Sequence, residues 1–156
     1  MKIKWHDLIW LAFWLGVTFG VAFISSQYQA GPWYEEIARP TWTPPGWIFG
    51  PVWSFLYLSM GVAAWLVWRQ RTSKPVTMPL TMYGLQLVAN GLWSWIFFGQ
   101  RMIGVALIDL LLLVALVSIT MVLFFRVNRL AGALLIPYLL WISFAAFLNF
   151  SIWRLN

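Results

Sequence analysis

From residue 8 to residue 153 the chain is almost unbroken apolar sequence, cut by short polar breaks into five runs. They cover about 8–27, 46–68, 78–99, 103–125 and 130–153, each 20 to 24 residues long. As helix, at about 1.5 Å per residue, each reaches roughly 30–36 Å. That matches a hydrocarbon core of about 30 Å. None of the runs alternates polar and apolar residues, which argues against a transmembrane barrel. In lipid the backbone must satisfy its own hydrogen bonds, and helices do so within one segment. The prediction is an all-α, integral membrane bundle of five transmembrane helices, one domain over 1–156. A soluble fold is excluded by supply: 9% of the residues are charged, against roughly a quarter in water-facing domains.

The few polar residues carry the remaining information. With no Cys, one His and four acids, no disulfide, thiolate chemistry or metal centre is expected, and no cofactor is predicted. The net charge of +6 is scattered between apolar runs rather than gathered in a patch, so nucleic acid is not an expected partner. The charges read instead as signals that orient the chain in a bilayer. Lys2, Lys4, Arg69, Arg71, Lys74, Arg126 and Arg129 fall on the face of the N-terminus, against Arg39, Arg101 and Arg154 on the other. Seven against three predicts N-terminus inside and C-terminus outside. The first run is too long for a signal peptide and lacks a small-x-small cleavage site, so it reads as a retained helix. The short connections predict that spans two to five are sequential antiparallel neighbours.

Only the connection 28–45 is long. It holds Gly31, Pro32, Pro40, Pro44 and Pro45 among Trp33, Tyr34 and Trp42. Its prolines argue against regular helix, and Thr43 followed by Pro44 reads as the cap and first position of the second span. Its aromatic content predicts that it folds back over the mouth of the bundle.

Inside the spans, Gln86, Asn90, Trp93 and Phe97 share one helical face, as do Tyr138, Trp141, Ala145 and Asn149. Gly50, Trp53 and Tyr57 form a third stripe. Two readings are open at this level. The amides act as interhelical hydrogen-bond glue, or the three faces enclose an apolar pocket with a few polar anchors. Asp109, two turns inside the fourth span, is either a carboxyl satisfied by a neighbouring helix or a functional group. Trp5, Trp65, Trp68 and Trp153 stand at span ends, where indole favours the interface. Gly16 and Gly20 make a GxxxG pattern suited to close packing or dimerisation. His6 lies beside the membrane without an evident role, and Pro137 is expected to bend the fifth span.

Certain runs are specific enough to carry a resemblance. They are Trp33-Tyr34, Arg39-Pro40-Thr41-Trp42-Thr43-Pro44-Pro45-Gly46-Trp47, Gly50-Pro51-Val52-Trp53, Gln86-Leu87-Val88-Ala89-Asn90-Gly91-Leu92-Trp93 and Phe97-Phe98-Gly99. Further on come Ala106-Leu107-Ile108-Asp109-Leu110-Leu111-Leu112, Pro137-Tyr138-Leu139-Leu140-Trp141 and Leu148-Asn149-Phe150. Over essentially its whole length the chain resembles the tryptophan-rich sensory protein / translocator protein (TspO/MBR, peripheral-type benzodiazepine receptor) family.

The resemblance implies a five-helix bundle, often a homodimer, that binds porphyrins and other tetrapyrroles and isoquinoline carboxamide ligands beneath its first loop. By matched position, Tyr34 and Pro44 would be loop contacts, Trp53 and Trp141 pocket tryptophans, Asn90 a polar contact and Ala145 a small residue admitting the ligand. Trp93 and Tyr138 join this ligand-binding set from the shared faces above. In some members the tryptophans matching Trp53 and Trp141 are implicated in light-dependent porphyrin degradation. The sterol motif keeps Leu148 and Arg154 but has Phe150 in place of its Tyr, so the phenol is lost. Val105 stands where vertebrate members can carry Trp, and bulky Leu85 occupies a position where dimerising members have a small residue. The leading expectation is a receptor-like sensor or regulator, with the membrane and a hydrophobic small molecule as its partners. A transporter is the rival, although neither inverted repeats nor broken mid-membrane helices are evident. A light-dependent enzyme acting through Trp53 and Trp141 is the third reading, and no other catalytic residue is apparent.

Overall fold

A computed structural model describes residues 5–156, which are helical apart from turns and connections, with no strand among them. Lys2 and Lys4, two of the charges used for orientation, lie outside the described residues. Helix α1 spans Trp5–Ser25, the short α2 Pro32–Glu36, and α3 Gly46–Trp68. Helix α4, Thr77–Ser94, runs directly into a π-helical turn at Trp95–Gly99. After it come α5 (Ile103–Val127), α6 (Arg129–Leu134) and α7 (Ile136–Leu155).

Four stretches are long and apolar enough to cross a membrane: α1, α3, α5 and the combined Arg129–Leu155. The sequence pointed to five. Helix α4 falls short in apolarity because it carries Gln86, Asn90 and two threonines. The fifth predicted run is split at Leu135, two residues before Pro137. Proline has no N–H to continue the ladder, so the break falls where it was expected.

Two local expectations for the 28–45 connection are corrected. It contains a helix after all, because Pro32 occupies the first helical turn of α2, where its missing N–H costs nothing. Thr43 does not cap α3, which starts at Gly46 behind an extended Pro45 (ψ 141°). Successive prolines push the preceding residues out of helical geometry, and the Thr43 hydroxyl instead donates to the Pro40 carbonyl at 2.7 Å.

The helices form a ring in the order α1, α3, α6/α7, α5, α4. Spans two and three are therefore not principal neighbours, contrary to the reading from short loops. Helix α1 packs against both α3 and α4 and stands between them. Two glycines let it approach. A Cβ on Gly61 would lie 2.7 Å from Leu15 Cδ2 and 3.3 Å from Leu15 Cα, and one on Gly91 would lie 3.2 Å from Val21 Cγ1. The GxxxG glycines Gly16 and Gly20 have nothing within 4 Å of such a position and face outward. Thr18, buried in the same interface, shares a 2.6 Å hydrogen bond with the Tyr83 hydroxyl.

Near the start of α1, Arg69 Nε stands 3.6 Å from Asp7 Oδ1, and Trp65 Nε1 donates to the Asp7 carbonyl at 2.8 Å. Trp65 is therefore buried. Trp68 is half-buried against Trp10 and Trp14, while Trp5 and Trp153 are exposed. His6 Nε2 lies 3.9 Å from Asp7 Oδ1. Lys74 donates to the Val127 carbonyl and so caps the end of α5, favourable at a helix C-terminus. This end of the bundle is solid, filled by Met60, Ala63, Val67, Tyr83, Val117, Phe124, Ala131 and Leu135. The opposite end is hollow.

Candidate ligand-binding cavity

The hollow half is a cavity of about 760 Å³ beneath the 28–45 connection. Its walls follow from where the aromatic stripes fall. On α3, Phe49 and Trp53 lie one turn apart and face inward, and on α7 Trp141, Ala145 and Leu148 do the same. Phe49 meets Trp141 edge to face at 5.8 Å, and Trp141 lies 5.7 Å from Phe144, making one continuous wall. Opposite stands Trp93, stacked on Phe97 at 5.1 Å. The π-helical turn adds a residue to the helical repeat, and both Phe97 and Phe98 line the space. Tyr34 of α2 covers them, 6.1 Å from Phe97 and 5.5 Å from Phe98. Pro44 lines the same mouth, and Leu110 and Leu113 of α5 complete the interior.

The floor is polar and interlocked. Tyr57 Oη donates to Asn90 Oδ1 at 2.6 Å, and Asn90 Nδ2 donates to Tyr138 Oη at 2.9 Å. Tyr138 Oη in turn donates to Gln86 Oε1 at 3.0 Å. The chain of bonds thus ties α3, α4 and α7 together at the boundary between hollow and solid halves. A second link runs from Trp93 Nε1 to Asn149 Oδ1 at 3.2 Å and from Asn149 Nδ2 to the Ile103 carbonyl at 2.9 Å. The amides do link helices, one of the two alternatives left open by spacing. Asn90 and Asn149 join helices and also line the cavity, whereas Gln86 only joins helices.

Seven of the eight candidate ligand-binding residues, Tyr34, Pro44, Trp53, Asn90, Trp93, Trp141 and Ala145, line this one space. Tyr138 does not: it is fully buried below Asn90, with its hydroxyl engaged on both sides. The sterol-motif residues are not brought together. Leu148 is buried and lines the cavity, while Phe150 and Arg154 are exposed. Asp109 is buried outside the cavity, and its Oδ2 has no hydrogen-bond partner among the described residues.

Several lining residues were not foreseen. Phe49 was legible, since it stands four residues before Trp53 on the same face. Glu35 and Arg39 were not, because their approach depends on how the 28–45 connection folds, and Ser25 was not, because it ends α1, whose inner face the apolar pattern does not mark. Ser25 is buried where it lines the cavity.

A chain of this kind is an all-helical, multi-pass integral membrane protein with an aromatic cavity in one half of its bundle. It belongs to the TspO/MBR family, whose sequence profile matches residues 8–154. It is 43% identical over 140 residues to "Translocator protein" of Homo sapiens, spanning 86% of this chain and 82% of that one. It is 36% identical over 157 residues to "Tryptophan-rich protein TspO" of Chlorobaculum tepidum, spanning 96% and 98% respectively. With "Tryptophan-rich sensory protein" of Cereibacter sphaeroides it shares 38% identity over 124 residues, or 80% of this chain and 77% of that one.

Proposed function

We propose that the protein is a receptor-like sensor or regulator that binds a porphyrin or related tetrapyrrole in the cavity. The observation that carries this reading is the pairing of two aromatic walls, Phe49–Trp53–Trp141–Phe144 and Trp93–Phe97–Phe98, across one space of about 760 Å³. That volume falls within the roughly 300–1,000 Å³ typical of small-molecule sites. Flat aromatic guests gain from stacking and edge contacts with such walls, and the Tyr57–Asn90 floor offers a polar end point.

The same reading makes α4 the fifth membrane span. Its 18 residues continue through the five of the π-helical turn, giving about 34 Å at 1.5 Å per residue. Gln86 and Asn90 point inward, while Met78, Leu85, Val88, Leu92 and Trp95 form an exposed apolar face. Binding is favoured over transport because the half of the bundle beyond Asn90 is filled with side chains. A light-dependent reaction is a second reading, favoured by Trp53 and Trp141 both lining the cavity.

Titrating the detergent-solubilised protein with protoporphyrin IX should give saturable tryptophan quenching, weakened in Trp53→Phe and Trp141→Phe. Quenching that does not saturate, or is indifferent to both substitutions, removes the reading. Illumination of the complex tests the second reading: a new absorbing product that survives in both variants counts against it.

A further inference from the structure

The geometry points to Arg39 as an anion anchor at the cavity mouth, selecting guests that carry a carboxylate on an otherwise flat apolar body. This deepens the porphyrin reading and rests on it. Arg39 lines the cavity from the rim, and its guanidinium carbon lies 4.7 Å over the ring of Tyr34. Tyr34 is itself the residue that covers Phe97 and Phe98. The cation is therefore held above the aromatic lid of the space that would take the apolar body. Stacking on one face leaves the edges of the guanidinium free, and those edges carry the forked N–H donors that match a carboxylate. Among the described residues the ion pairs are His6–Asp7 and Arg69–Asp7, and no carboxylate pairs with Arg39. Glu35, on the same rim, stays outside ion-pair distance.

An exposed arginine is ordinarily mobile and loses entropy when it binds. Here its backbone is fixed on both sides. Asn156, just beyond α7, grips Ala38 twice: Ala38 N donates to Asn156 Oδ1 at 3.0 Å, and Asn156 Nδ2 donates to the Ala38 carbonyl at 2.9 Å. Asn156 Nδ2 also reaches the Ile152 carbonyl at 2.9 Å, and Ile152 lines the cavity. On the other side Pro40 restricts Arg39 to extended geometry, and the Pro40 carbonyl is held by Thr43. The residue between these two held neighbours is the one cation of the 28–45 connection. Asn156 is in this account a positioning residue for Arg39.

The test uses the full chain in nanodiscs of zwitterionic lipid, titrated with protoporphyrin IX and with its dimethyl ester, which keeps the ring and removes both charges. The readout is the ratio of the two affinities. Arg39→Gln should weaken the free acid about fivefold, the size of a partly exposed ion pair, and leave the ester unchanged. Arg39→Lys should restore part of the ratio, Asn156→Ala should narrow it without weakening the ester, and Glu35→Gln should widen it by removing a like charge. An unchanged ratio in Arg39→Gln, or equal weakening of acid and ester, overturns the anchor while leaving porphyrin binding intact. No saturable binding of either compound overturns the porphyrin reading and the anchor with it.

Discussion

Replacing Tyr138 with Phe isolates the hydrogen-bonded floor from the cavity above it. The substitution keeps the ring and its 6.3 Å edge contact with Trp53. It deletes one oxygen that accepts from Asn90 at 2.9 Å and donates to Gln86 at 3.0 Å. Tyr138 is fully buried, so water cannot reach the groups left behind. Interhelical hydrogen bonds in bilayers average about 0.6 kcal/mol each, which sets a lower bound near 1 kcal/mol for two. Stranding a buried donor and acceptor costs about 1–3 kcal/mol per group in other proteins. Asn90 keeps its bond to Tyr57, which pulls the expected loss toward the low end, about 1–3 kcal/mol. Unfolding by sodium dodecyl sulfate in mixed micelles, followed by tryptophan fluorescence, measures it. A double-mutant cycle with Gln86→Leu should show coupling, because the two side chains share a bond. Ligand affinity should fall only modestly, since Tyr138 touches no part of the cavity surface. A stability change below about 0.5 kcal/mol refutes the network argument. A loss of binding at unchanged stability would make Tyr138 a wall residue and refute the placement.

Ala145→Phe should abolish porphyrin binding while unfolding stability is kept, because the new ring enters open space; retained affinity in the quenching titration would contradict the cavity. Gly61→Ala should cost about 1–3 kcal/mol as an overpacked contact, since its Cβ would press on Leu15; the same unfolding assay reads it, and Gly16→Ala, on an open face, should be near neutral. Asp7→Asn should cost more than about 1 kcal/mol and respond little to salt, because the 3.6 Å pair with Arg69 is largely shielded, its side chains only 13% and 14% exposed; a loss below about 0.5 kcal/mol that vanishes at high salt would make it an ordinary surface pair.

The inward stripes were legible because polar groups are rare in lipid, so Asn90 and Asn149 flagged their own faces. Trp93 and Trp141 came with them by helical spacing. What was not legible follows from the same solvent. Outward residues are apolar too, so α1 shows no clear inner face, and Gly16 and Gly20 looked as good a packing site as Gly61 and Gly91. The wedging of α1 between α3 and α4 depends on which glycines meet which neighbours, and that is a property of the assembled bundle. Tyr138 shares its helical face with Trp141, but one turn of depth places it under the floor rather than on it. Arg39 and Glu35 were out of reach because consecutive prolines and Asn156, more than a hundred residues away, decide where the 28–45 connection lies.

The bundle is filled unevenly along its length, and that has a mechanical consequence. The closely packed end acts as a stem, where any change of side-chain volume is resisted by neighbours from several helices. The open end acts as a bowl, where walls can be resized with little effect on whether the molecule stands. Variation among homologues is thus expected to tune the guest by altering the bowl, leaving the stem to hold the helices upright in the bilayer.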